Sequence, residues 1–295
     1  MENKIIQFEV SSLEELRVAL ALGKVNGARF AAVRVFGPKV FTRHFDQAKV
    51  PMPELIASLK NDAAQALSIS PAEVEVAVEL LSSEGDSLRG VLTAIPQVLL
   101  EEFIDILDEN KILPVSVVSL ASAVAEEHLK GSSVIYKDCC LVNFLKPHGV
   151  SVVMFLGGEP VFFREMFDTA DNEIVARITD TIRYCCGRSV SKQIEEIVFT
   201  GNVAGKEDVI KRIQASAAPL KVAEKTAADG PAIRLTAPNL LGKYAFDLKE
   251  RAAFSRCLTW GLVLAVGVAL LGAVALVNVY QQVARAQAAE KLYAQ

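Results

Sequence analysis

Between Cys257 and Ala284 the chain carries no charged residue. The core of that run, CLTWGLVLAVGVALLGAVALV from Cys257 to Val277, would extend roughly 32 Å as a helix, against a bilayer hydrocarbon core of about 30 Å. Helices buried in soluble cores seldom stay uncharged for so long, and Trp260 and Tyr280 stand near the two ends, where interfacial aromatics sit. The run predicts a single transmembrane helix over 257–279. It lies far from an N-terminus that has no apolar h-region, so it is not a signal peptide. Lys243, Lys249, Arg251 and Arg256 crowd its N-terminal flank, whereas the tail offers Arg285 and Lys291. By the positive-inside rule the large N-terminal part then lies in the cytoplasm. Residues 280–295 are rich in helix formers and read as the start of a periplasmic helical stalk. Within the span, Gly261, Ala265, Ala269 and Ala273 recur every four residues, a stripe of small side chains along which two helices can approach closely. The stripe predicts transmembrane association, with a second copy or with a partner span.

The span contributes to a hydrophobic fraction of 52% in 295 residues, high for a wholly soluble chain. Net charge is −4, with both signs interleaved and no basic block interspersed with aromatics, so no nucleic-acid partner is expected. The three histidines, His44, His128 and His148, have no second ligand at helical spacing, and no metal is expected. Five cysteines, including the adjacent pairs Cys139-Cys140 and Cys185-Cys186, show no CxxC or zinc spacing and read as reduced, buried apolar residues. GxSxG, HExxH and Walker A sequences are missing, and Glu101-Glu102, Glu126-Glu127 and Glu195-Glu196 read as solvated faces.

Residues 1–256 alternate strand-like and helix-like segments, which predicts an α/β architecture. Strands are expected at 5–10, 29–36, 39–45, 74–80, 90–95, 114–119, 134–144, 150–156, 160–166 and 197–199. Helices are expected at 53–67, with Leu55, Ile56, Leu59, Ala63 and Leu67 on one face, at 97–109, and at 171–186, with Ile174, Ile178 and Ile182. The run 134–166 reads as three antiparallel strands joined at PHG and GGE. A strand block followed by a helix occurs near the start and again in the middle, which suggests two lobes. Residues 223–238 are polar and rich in Ala, Asp, Gly and Pro and read as a linker.

Set in this order, RGVLTAIP, ILPVSVVSLASAVAE, LVNFLKPHGVSVVMFLGGEPVFFREM and IEEIVFTGN resemble the actin-like GspL and PilM proteins of type II secretion and type IV pilus machines. The resemblance is good over Gly90 to Gly201 and looser in the N-terminal third. It implies a two-lobed actin-like (ribonuclease H-like) cytoplasmic domain over 1–236, a juxtamembrane linker over 237–256, and the transmembrane helix after it. The segment NLLGKYAF is similar to the stretch before the membrane helix in GspL proteins and to the N-terminal tail of PilN, which docks on PilM. Asn239, Leu240 and Leu241 are the partner-binding residues this implies.

In actin-like ATPases two β-hairpins with acidic and glycine-bearing turns hold the phosphates, because backbone must approach phosphate closely and a carboxylate must order the Mg²⁺ shell. The first hairpin would correspond to Phe8–Val18, with Glu9 in the acidic position and Ser11 in place of glycine. The second would correspond to Leu141–Gly149, with Asn143 in the acidic position and Lys146-Pro147 in the turn, where proline removes a backbone donor. The adenosine loop would be FTGNVAGKEDVIKRI, Phe199–Ile213, a strand, turn and helix in which Gly201 is followed by Asn202-Val203 instead of further glycines. Three altered loops predict no bound cofactor and no enzymatic activity.

The resemblance therefore implies a non-enzymatic bitopic inner-membrane scaffold of a secretion or pilus assembly platform. Its implied partners are the hexameric secretion or pilus ATPase, a second bitopic assembly protein of the GspM or PilO kind, the membrane, and a second copy of the chain. The alternative is a PilM-type protein that binds ATP and whose nucleotide state regulates docking. A third reading is a membrane-tethered sensor of another small ligand.

Overall fold

The structure is a computed structural model and describes residues 5–22, 30–131, 138–145, 149–188, 194–217, 236–242 and 244. The span at 257–279, with its small-residue stripe, and the PHG turn lie outside the described residues. Among those described, no helix is long and apolar enough to cross a membrane. Residues up to 243 belong to one compact unit, and Tyr244 opens a second.

Three sheets build the first unit. β1 (Ile5–Val10), β2 (Phe30–Val35) and β6 (Leu113–Ser119) form a parallel sheet in the order β1-β2-β6. β3 (Phe41–Ala48), β4 (Val74–Glu84) and β5 (Ser87–Pro96) form an antiparallel sheet with β5 in the centre. β7 (Cys139–Leu145), β8 (Gly149–Leu156) and β9 (Glu159–Phe167) are antiparallel neighbours, and β10 (Glu196–Gly201) joins β7 in parallel. The expected strands are all present, those that differ doing so by a few residues at their ends, and β7 starting at Cys139 within the described residues.

β7 is buried along its whole length and β8 along nearly all of it, because both faces of this sheet are covered. Cys140, Val142, Phe144, Val152 and Met154 pack against Ile174, Ile178 and Ile182 of α5 (Asp171–Arg188) and Val209 and Ile213 of α6 (Glu207–Ala217). Cys139, Leu141, Val153 and Phe155 meet Val91 of β5 and Ala125 of α4 (Leu120–Gly131) on the other face. The antiparallel sheet is covered by α2 (Met52–Leu67), which buries Leu55, Leu59 and Ala63 but leaves Ile56 exposed, at the flank of its apolar stripe. α3 (Gln97–Glu109) buries Leu100, Phe103, Ile104 and Leu107 as its spacing predicts. Hydroxyls tie β3, β6, α4 and β5 together: Thr42 donates to Ser119 (2.8 Å), Ser119 to Ser122 (3.1 Å), and Ser122 meets Thr93 (3.2 Å). Cys139, Cys140 and Cys185 are buried and in no disulfide.

Two expectations need correction. Phe8–Val18 is not a hairpin: β1 runs parallel to β2, and α1 (Leu13–Ala21) makes the crossover. The cause is local. Ser12 accepts a hydrogen bond from the Glu15 N–H (3.2 Å), and the Glu15 carboxylate accepts from the Ser11 N–H (2.7 Å), so two backbone donors are satisfied at a helix start. Leu13, Leu16 and Leu20 then follow at helical spacing, with Leu16 and Leu20 buried. Second, residues 237–242, the first part of the stretch read as juxtamembrane linker over 237–256, belong to the folded unit, with Ala237, Leu240 and Leu241 buried.

Candidate functional site

A cleft of about 980 Å³ opens where β1, α1 and β2 approach α4, β7 and the end of β10. Of the five residues of the altered loops, Glu9, Asn143, Gly201 and Asn202 line it, while Ser11 stands one residue beyond Val10 on its wall. The geometry thus gathers parts of three loops that are far apart in the chain.

Polar groups of these residues are engaged within the protein. The Glu9 carboxylate accepts from Arg34 (3.3 Å), and Arg34 also donates to Glu127. The Ser11 N–H is taken by Glu15. Asn143 is buried, and its Oδ1 accepts from the Thr200 hydroxyl (3.1 Å), fastening β10 to β7. Gly201 has φ +76°, and a Cβ there would land on the Phe144 carbonyl oxygen and on Asn143 Oδ1. Its glycine is required by strand packing and backbone conformation with no ligand in place. The Asn202 N–H donates to the Phe144 carbonyl (2.9 Å), which closes the turn onto β7. Val203 is exposed and not among the lining residues.

The charge of the cleft opposes phosphate. Glu9, Glu14, Glu15 and Glu127 line it, against Arg34. His128 lines it too, but burial pushes its imidazole below its ordinary range, the smaller effect of Glu196 opposing. No group of three His, Cys, Asp or Glu residues that could hold a metal occurs among the described residues. Sequence reasoning missed Arg34, Glu127 and the α1 wall, although SSLEE, with serine three residues before glutamate and leucines following, carries the helix-start signal.

A second candidate site is the outer edge of β6. Asn239 Oδ1 accepts from the N–H groups of Val117 and Leu241 (both 3.1 Å), and the Leu240 N–H donates to the Val117 carbonyl (2.8 Å). The Ala237 N–H donates to Glu126 Oε2 (3.0 Å). Leu240 is 1% and Leu241 2% exposed. The asparagine side chain stands in for a backbone carbonyl, so this short segment satisfies part of an edge strand that would otherwise lack partners.

No family model matches the sequence, and no curated protein does. Among solved structures, a chain of the PilM-PilN type IV pilus biogenesis complex matches with a TM-score of 0.55 at 13% identity, over 70% of this chain and 72% of that one. The fold is similar to that of this pilus biogenesis protein. At this identity the likeness is one of fold. A Bacteroides thetaiotaomicron protein with an actin-like ATPase fold and unknown function matches with a TM-score of 0.46 at 8% identity, over 70% of this chain and 73% of that one. The cytoplasmic domain of EpsL, an inner membrane component of the type II secretion system of Vibrio cholerae, matches at 0.42 and 10%, over 79% and 84%.

Proposed function

We propose that this chain is a non-enzymatic, bitopic inner-membrane scaffold of a type II secretion or type IV pilus assembly platform. The observation that carries this reading is the seating of Asn239-Leu240-Leu241 on β6, fifteen residues before the uncharged run. The hydrogen bonds anchor the start of the segment that leads toward the span on the sheet edge. Through it a cytoplasmic partner can pass position or force to the span. The implied partners are the hexameric secretion or pilus ATPase on the cytoplasmic side, and a GspM- or PilO-like bitopic protein or a second copy within the membrane.

The nucleotide-free reading is supported by the occupied Ser11 N–H, the Asn143–Thr200 bond and the acidic lining. The volume of the cleft favours the second reading, an ATP-binding protein whose nucleotide state regulates docking, since it is at the upper end for small-molecule sites. Co-purification of the full chain from membranes with the ATPase of its own system tests the scaffold. Recovery of that ATPase, lost when Asn239, Leu240 and Leu241 are replaced by alanine, is the expected result. Recovery of no assembly-platform protein at all would sink it.

A further inference from the structure

α1 buries Leu16 and Leu20 inside the unit, yet sets Glu14, Val18 and Leu22 along another stripe at i, i+4 and i+8 spacing, and these three line the cleft. Val18 is 48% and Leu22 69% exposed, so this stripe is apolar surface without cover among the described residues. Phe36, Leu120, Val124 and Leu145 extend the apolar lining from other elements. Around them the charge is one-sided. Arg34 is the cation of the lining, and it is already held between Glu9 and Glu127, so the two carboxylates together outweigh it. His128, kept neutral by burial, adds no positive charge near pH 7.

Apolar walls with an acidic rim match one chemistry. We propose that the cleft is a docking site for a basic amphipathic segment of a partner protein, whose apolar side chains lie on Val18 and Leu22 while its lysines or arginines meet Glu14, Glu9 and Glu127. A lone amine would leave the apolar walls wet, and an acidic or phosphorylated segment would meet like charge at the rim. An apolar helix face beside a groove is the geometry of helix-in-groove recognition. The inference goes beyond the scaffold reading by giving the cleft an occupant, and it rests on that reading only in leaving the cleft free of nucleotide.

The test titrates the full chain in detergent micelles with a fluorescein-labelled peptide of alternating Leu and Lys turns, and with the same peptide carrying Glu for every Lys. Saturable binding of the Lys peptide, at least about tenfold tighter than the Glu peptide and weakened by salt, is expected. Glu14→Lys with Leu22→Lys, both at exposed positions, should weaken it by about tenfold or more, whereas Glu54→Lys with Asp105→Lys, a greater charge change away from the cleft, should not. Equal binding of the two peptides, equal loss in both double variants, or no binding overturns the docking site. A separate titration with Mg²⁺ and ATP keeps the readings apart: saturable ATP binding would overturn the nucleotide-free cleft whatever the peptide does.

Discussion

A Cβ on residue 201 would collide with the Phe144 carbonyl oxygen and Asn143 Oδ1, and φ there is +76°. Gly201→Ala is therefore expected to lower the stability of the domain by about 2–4 kcal/mol through strain and the broken β7–β10 contact. Chemical unfolding of residues 1–242, followed by far-ultraviolet circular dichroism, measures it; a change below about 0.5 kcal/mol would mean the turn relaxes freely. Glu165 makes a second residue-scale claim. It lies opposite Ser151 across β8 and β9, and its Oε1 has no partner among the described residues. Burial pushes its carboxyl up to about 8, with a smaller opposing effect from the Gly37 N–H that donates to it. The folded state thus holds this proton where the unfolded chain has released it, so the group lowers stability as pH rises from about 4.5 toward 8, at up to about 1.4 kcal/mol per pH unit. Glu165→Gln should be no more stable than the parent near pH 4.5 and increasingly more stable by pH 8. A constant difference across that range would refute the buried neutral acid.

At the scale of elements, α1 depends on its start. Ser12→Ala removes the acceptor for the Glu15 N–H and should cost about 1 kcal/mol, measured as a shift in the unfolding midpoint. The β6 edge depends on Asn239. With Asn239→Ala the Val117 N–H loses its acceptor, and hydrogen exchange at Val117 should speed up while β8, in the buried centre of its sheet, stays protected. Unchanged exchange at Val117 would mean that segment 236–242 contributes nothing to the edge. These two elements also mark where the sequence was legible. The buried strands β7 and β8 and the stripes of α3 and α5 were plain, because apolar periodicity reports directly on a face turned to the core. α1 was misread because a loop pattern from the resemblance was laid over SSLEE, whose capping signal is local and unambiguous once weighed. Asn239's contacts could not be read at all, since a side chain pairing with an edge 122 residues away leaves no periodic trace.

At the scale of the molecule, the order of segments made the fold legible, and four of the residues of the altered loops, Glu9, Asn143, Gly201 and Asn202, line one cleft. The charge of that cleft was not legible, because Arg34, Glu127 and the α1 wall come from elements whose proximity only the fold creates. The scaffold reading requires that this cleft leave nucleotide unbound, so that the connection from sheet edge to membrane does not switch with ATP. Calorimetric titration of the full chain in detergent with ATP and Mg²⁺, at protein concentrations that detect a dissociation constant of ~100 μM, about −5.5 kcal/mol, tests this directly. The account expects no saturable heat and no thermal stabilisation. Saturable, Mg²⁺-dependent binding abolished by filling the cleft would contradict it and make nucleotide the switch.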